Sequence, residues 1–285
     1  MAERRAPSVR SRQLAAELRR LRGEAALTGE EAAVRLGWSP AKISRVETAR
    51  TVVSPADLQL LLDLYEISGQ HRDRLSELGR TARQRGWWDV YADMLGPEYA
   101  TLIALEADAE SVSWYAAQIV PGLLQTEEYA REIIRSTLLI SPPGEIERRV
   151  RVRMSRQRVL TGDAPLRLAV ILDEAVLRRV VGGAEVMRAQ LRHLTQAAGW
   201  PNVDLRVLPS AAGAHPAVMG EFTILRFPEV VAPDVVYLEN MTSNLYVERE
   251  AEVFRYTMAF DRLNTLAMGT EDSVAFISGA ADALA

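Results

Sequence analysis

Residues 28–50 read TGEEAAVRLGWSPAKISRVETAR, and the fold of the first part of the chain turns on this stretch. Thr28 with Glu31 three residues on has the spacing of a capping box, in which a hydroxyl and a carboxylate satisfy the free amides of a helix start. Ala32, Ala33 and Leu36 form a small apolar face, and Gly37 stands where a helix needs a left-handed residue to end. Ser39 is a second cap, and Pro40 fits the first helical position, where its missing N–H would have no intrahelical partner. In the helix that follows, Ile43 and Val46 fall on the inward face, while Ala41, Ser44, Arg45 and Thr48 fall opposite them. Two short helices joined by a tight turn, the second showing small and basic groups outward, make a helix-turn-helix. Such a helix fits the DNA major groove, because small residues allow close approach and an Arg can bond both acceptors of a guanine edge.

Working outward, Leu14, Leu18 and Leu21 give an inward stripe to a helix over 12–26, closed by Leu27. Ser54-Pro55-Ala56-Asp57 opens a fourth helix with a cap, a first-turn Pro and an acid near the positive helix end; Leu58, Leu61, Leu62 and Tyr65 face its core. Gly69 breaks the chain, and His71 to Arg85 forms a fifth helix. Residues 1–11 read as a flexible tail in which Arg4, Arg5 and Arg10 are either solvated or lie along a duplex as an arm. The expectation is a five-helix head over 12–85 and a joint over 86–97, where Trp87 and Trp88 plug an inter-domain core.

The run LRRLRGEAALTGEEAAVRLGWSPAKISRVETAR, followed by the Ser54 helix, resembles the XRE (Cro/repressor-type) helix-turn-helix family over roughly 12–82. That family pairs an Arg of helix one with a Glu just after the recognition helix, and Arg22 and Glu47 occupy those places here. The resemblance implies that the pair locks helix one to the reading helix and leaves Arg22 near a phosphate. Family readers often begin the recognition helix with Gln; here Pro40 and Ala41 stand there, so base reading falls on Ser44 and Arg45 with apolar touch from Ala41. Lys42, Thr48 and Arg50 suit phosphate contacts, as do the amides at the Thr28 helix start.

Past 98 the pattern predicts an α+β body to 285. Residues 98–140 read as a return to helix, from the spacing of Tyr99, Leu102, Leu105, Val112 and Trp114, with a break at 119–124. Pro121-Gly122 marks a turn, and Thr126 caps a helix with Tyr129, Ile133 and Ile134 inward. Residues 145–160 form an Arg-dense helix, apolar on two nearly opposite sides, as a helix sandwiched between layers would be. Arg149, Arg153 and Arg156 share a face, with Gln157 beside them; they hold either an anionic ligand, a partner's carboxylates, or acids of the same body. Residues 166–172 read as a strand, 175–180 and 185–198 as helices, and 203–208 as a second strand, which makes a βαβ unit with parallel strands. Strands over 220–227 and 235–239 are expected antiparallel, followed by a helix over 248–268 carrying Val253, Phe254, Tyr256, Met258, Phe260 and Leu263, and a weak helix over 273–284. The fold class is thus mainly α with an α+β second domain: a helix-turn-helix head and a mixed-sheet helical body.

The stretches VPGLLQTEEYA at 120–130, Arg153-x-x-Arg156-Gln157, the Asp173-Glu174 strand end and Gly220-x-Phe222 resemble a C-terminal domain of unknown function over about 98–280. It is commonly fused to XRE heads in actinobacterial regulators described as antitoxin-like, often encoded beside a very short protein. The resemblance implies a body that senses a small ligand or binds a small partner protein.

Composition agrees with a DNA-binding head on a body that avoids phosphate. Residues 1–85 carry 16 Lys and Arg against 11 Asp and Glu, and the rest 18 against 27. Lys42 is the one lysine, so arginine content is general to the chain and not every Arg marks a site. The absence of cysteine excludes disulfides and thiolate metal sites, and no run of 18 apolar residues predicts a membrane span, so a cytoplasmic protein is expected. His71, His193 and His215 have no metal-ligand spacing. Asp173 and Glu174 are adjacent on a strand and point apart, so Asp173 is better used as a helix cap; His215, in a Gly-bearing loop, is the one catalytic candidate. The reading is a non-enzymatic regulator without cofactor or metal, a homodimer on double-stranded DNA with no membrane partner.

Overall fold

Capping and breaking residues set the helices of the first part of the chain where the sequence places them. The computed structural model describes residues 9–82, 86–91, 93–138, 142, 144–228 and 233–284. It divides into two units, Met1–Asp108 with Pro228–Ala232 and Ala109–Phe227 with Pro233–Ala285. In the first, α1 (Val9–Glu24) is followed by α2 (Gly29–Leu36), α3 (Pro40–Glu47), α4 (Pro55–Leu64), α5 (Gly69–Thr81) and α6 (Pro97–Asp108). Leu18, Ala32, Ala33 and Leu62 are fully excluded from solvent, and Leu14, Leu21, Ile43, Val46, Leu58 and Leu61 close the same core. Ser39 and Ser54 each accept the amide three residues on, from Lys42 and Asp57. Gly37 ends α2 at φ 67°, a conformation that costs a side-chain-bearing residue about 1–2 kcal/mol.

Two expectations here are corrected. The first helix starts at Val9, so Arg10 and Ser11 are helical: Arg10 lies 3.8 Å from Asp108, and the Ser11 hydroxyl donates to the Ala82 carbonyl. An arm bearing Arg4 and Arg5 lies outside the described residues, as do positions 83–85 of the fifth helix. That helix begins at Gly69, whose positive φ lets the chain leave α4 and enter α5 without a longer loop. Trp87 to Tyr91 form a short 3-10 turn with no buried residue, in which Trp87 stacks edge-on against Trp88 and Tyr91.

The second unit is built on a six-stranded sheet in the order β3-β2-β1-β4-β5-β6. In chain order its elements are β1 (Ser111–Ala116), α7 (Glu127–Thr137), α8 (Glu145–Arg156), β2 (Arg167–Asp173), α9 (Glu174–Arg178), α10 (Ala184–Ala197), β3 (Val203–Leu208), β4 (Phe222–Arg226), β5 (Val235–Glu239), β6 (Asn244–Val247), α11 (Glu250–Leu266) and α12 (Thr270–Asp282). β1, β2 and β3 are parallel; β4, β5 and β6 add antiparallel. The βαβ unit stands as expected, but β1 replaces the helix expected there, and β6 is an additional strand. One face of the sheet, with Tyr115, Ile171, Phe222, Ile224 and Val236, packs on Val253, Phe260 and Leu263 of α11. Phe254 and Met258 of that helix face solvent. α12 is more than a weak helix: Ile277 is wholly buried, and the edge of β3 is closed by Val207 N–H to Ser273 Oγ and by Met268 N–H to the Val207 carbonyl. Among the described residues no helix is long and apolar enough to cross a membrane.

Candidate nucleic-acid interface

The α2–turn–α3 pair presents one exposed helix face. Ile43 and Val46 are buried, while Ala41, Ser44, Arg45 and Thr48 are exposed, as 3.6-residue periodicity requires once the inward pair is fixed. Arg50 is exposed just beyond the helix. Thr48 turns its hydroxyl back onto the Ser44 carbonyl at 2.7 Å.

Behind this face, Arg22 forms a forked pair with Glu47, Nε to Oε1 at 2.7 Å and Nη2 to Oε2 at 2.9 Å, and Nη1 donates to the Leu27 carbonyl at 2.7 Å. Arg22 and Glu47 are largely buried, and the hydrogen bonds to Glu47 raise the guanidinium pKa further. One side chain thus ties the end of α1, the loop to α2 and the end of α3 together, so α3 is held at a fixed angle. Tyr65 packs beside the pair; burial and the Glu47 charge push its phenol up to about 12.

The α2 start is occupied by its own box. The Thr28 amide and hydroxyl both donate to Glu31 at 2.8 Å, and the Glu31 amide donates to Thr28 Oγ1 at 3.2 Å. Of the first-turn amides, those of Gly29 and Glu30 are left for an outside acceptor. Lys42 is also engaged: its ammonium lies 2.7 Å from Asp57 Oδ1 and 3.6 Å from the centre of the Trp38 ring. Sequence spacing gave no sign of this tie, since it depends on where α4 comes to rest.

The second unit's arginine face is turned to its own chain. Arg149 pairs with Glu145 one turn back; Arg153 donates to Gln125 at 2.7 Å, with its Nε buried and unpaired; Arg156 is buried. Gln157 donates to the carbonyls of Gly122 and Gln125. These groups, with Gln190 on Leu124 and Thr126, hold the segment 120–126 in place. Asp173 caps α9 by accepting the Ala175 amide at 2.9 Å, and its other oxygen accepts the Tyr115 hydroxyl at 3.2 Å. His215 lies against the same phenol, 3.5 Å from Nε2. Periodicity alone does not mark Tyr115 as a site residue, because its place on β1 is set by pairing with distant strands. Among the described residues no group of three or more His, Asp or Glu is placed to hold a metal ion.

Comparison with known proteins agrees with both units. Residues 13–75 match the family model of a helix-turn-helix domain, and residues 99–279 match that of a domain of unknown function, DUF5753. No curated protein and no solved structure matches the chain. The second match spans more than half of the sequence, so the chain belongs to the DUF5753 family and carries a helix-turn-helix domain ahead of it.

Proposed function

We propose that this protein is a sequence-specific transcriptional regulator of the XRE type, acting as a homodimer, whose second unit senses a small ligand or a small protein partner. The observation that supports DNA reading is the exposed α3 face, with Ala41, Ser44, Arg45 and Thr48 outward and Arg22–Glu47 fixing the helix from behind. In this reading Arg45 bonds a guanine edge, Ser44 a neighbouring base, and Ala41 touches a thymine methyl. Arg50, Thr48 and the Gly29 and Glu30 amides take phosphates. Arg22 acts mainly as the lock, and Lys42 contributes little, since its charge is answered by Asp57.

The test is selection of binding sites from random duplexes, followed by affinity for the selected site and for random DNA. Arg45→Ala is expected to lose about 1–3 kcal/mol of discrimination, while Arg50→Ala weakens binding to both duplexes alike. Unchanged selectivity in Arg45→Ala would overturn the assignment of α3. A second reading, an antitoxin-like protein that binds DNA only for autoregulation, is favoured by the exposed Phe254 and Met258, one turn apart on α11. Isolation of the chain with a short polypeptide that Phe254→Ser releases would favour that reading.

A further inference from the structure

The parallel strands β1, β2 and β3 all end on one side of the sheet, at Ala116, Asp173 and Leu208. The chain leaving β1 proceeds to β2 on one side of it, while the chain leaving β3 crosses by 209–221 to β4 on the other. Open sheets bind ligands beyond the strand ends at such a reversal. Tyr115, Asp173, His215 and Glu221 gather there. The single proton of the Tyr115 hydroxyl goes to Asp173, so the 3.5 Å contact to His215 requires the histidine proton on Nε2. Nδ1 is buried with no partner, and in the neutral ring it carries a lone pair. Glu221 accepts one long bond, from the Ala117 amide at 3.4 Å, and burial holds its carboxyl above the usual range. Among the described residues neither Asp173 nor Glu221 is paired with Lys or Arg. The cluster therefore has acceptors in excess and its two side-chain donors already used. Around this end of the sheet the loops expose apolar side chains: Val218 and Met219 before β4, and Met241 in the turn between β5 and β6.

We propose that this end of the second unit binds an organic ammonium ion with an apolar body. The ammonium supplies the positive charge and N–H donors that Asp173, Glu221 and His215 Nδ1 lack, and the apolar body lies along Val218 and Met219. Burial of an uncompensated carboxylate is costly, and an ammonium removes that cost as it binds. The proposal names the chemistry of the sensed ligand; it rests on the sensing role above only for its consequence on DNA.

The experiment uses the intact protein without DNA at pH 7.5. Hexylammonium chloride is titrated while the ring resonances of His215 and Tyr115 are followed by NMR, with sodium hexanoate as the probe of equal length and opposite charge. Hexylammonium is expected to shift both residues saturably and hexanoate to shift neither. Glu221→Gln and Asp173→Asn, the latter keeping the α9 cap, are each expected to weaken binding by about tenfold or more. No saturable shift, an equal response to hexanoate, or unchanged affinity in both variants while circular dichroism shows them folded would overturn the proposal. Operator binding by the same preparation separates the two ideas: DNA binding without hexylammonium binding removes the ligand site alone, and loss of DNA binding by the unaltered chain removes the regulator reading.

Discussion

Arg22 and Glu47 hold α3 through a forked pair that is mostly out of solvent. Removing one partner leaves the other charge without its answer, which costs more than the pair contributes when intact. Arg22→Ala is expected to lower stability by about 2–4 kcal/mol in urea unfolding, and Arg22→Met with Glu47→Leu together to recover most of the loss. Glu221 is a residue of the opposite kind, a carboxyl that folding places in poorer surroundings than water. Its pKa is raised in the folded state by burial, so below its unfolded value the cost of folding it is absent. As pH rises from that value through the folded one, the unfolded chain sheds its proton first, and stability falls. Glu221→Gln is therefore expected to unfold at a higher temperature than the unaltered protein at pH 7.5 and to match it near pH 4, which thermal scans at the two pH values would show. A destabilised Glu221→Gln at pH 7.5 would mean that the carboxylate is held by something other than the Ala117 amide.

The helix boundaries were readable because the residues that set them act locally. Thr28, Ser39, Ser54, Thr126 and Asp173 each cap the helix they precede, and Gly37 ends α2 at positive φ. Gly37→Ala meets no neighbouring atom, so its expected cost of about 1 kcal/mol is backbone strain alone, and it should appear as a lowered urea midpoint with an unchanged far-UV spectrum. β1 was not readable for the reverse reason. Ser111–Ala116 is buried on both faces, so it lacks the alternation of a half-exposed strand, and its state is settled by pairing with β2 and β4, far away in the chain. With β1 unread, Tyr115 was unread, and Asp173 and His215, 58 and 100 residues from it, had no visible meeting point. The exposed face of α3 needed only helical periodicity, whereas the tie of Lys42 to Asp57 needed the tertiary position of α4. The segment 120–126 shows how a loop becomes as fixed as a helix. Gln190, with no exposed surface, gives its amide N–H to Leu124 and accepts from Thr126, both at 2.7 Å. Gln190→Leu leaves both backbone groups unanswered and is expected to cost about 2–4 kcal/mol in urea unfolding.

For the whole molecule, charge and symmetry together limit how it can use DNA. The chain is net negative at −4, with a modest net positive excess confined to the first 85 residues, so a single copy gains little from non-specific phosphate attraction. Under the proposed reading, one α3 offers few base-reading side chains, each good contact being worth about 1–3 kcal/mol, which is thin against a genome of competing sites. A two-fold pair of heads doubles the readout without adding any new kind of contact, provided that the half-sites face the same side of the duplex, about 34 Å apart. Under the homodimer proposal, inserting five base pairs between half-sites turns one to the opposite side and is expected to reduce affinity to that of a single half-site. Inserting ten restores the face, and recovers affinity to the extent that the dimer tolerates the added distance. Mobility-shift titrations on the three spacings, in one salt concentration, would measure this. Equal affinity on all three would show that each head binds alone, and specificity would then have to come from contacts outside α3.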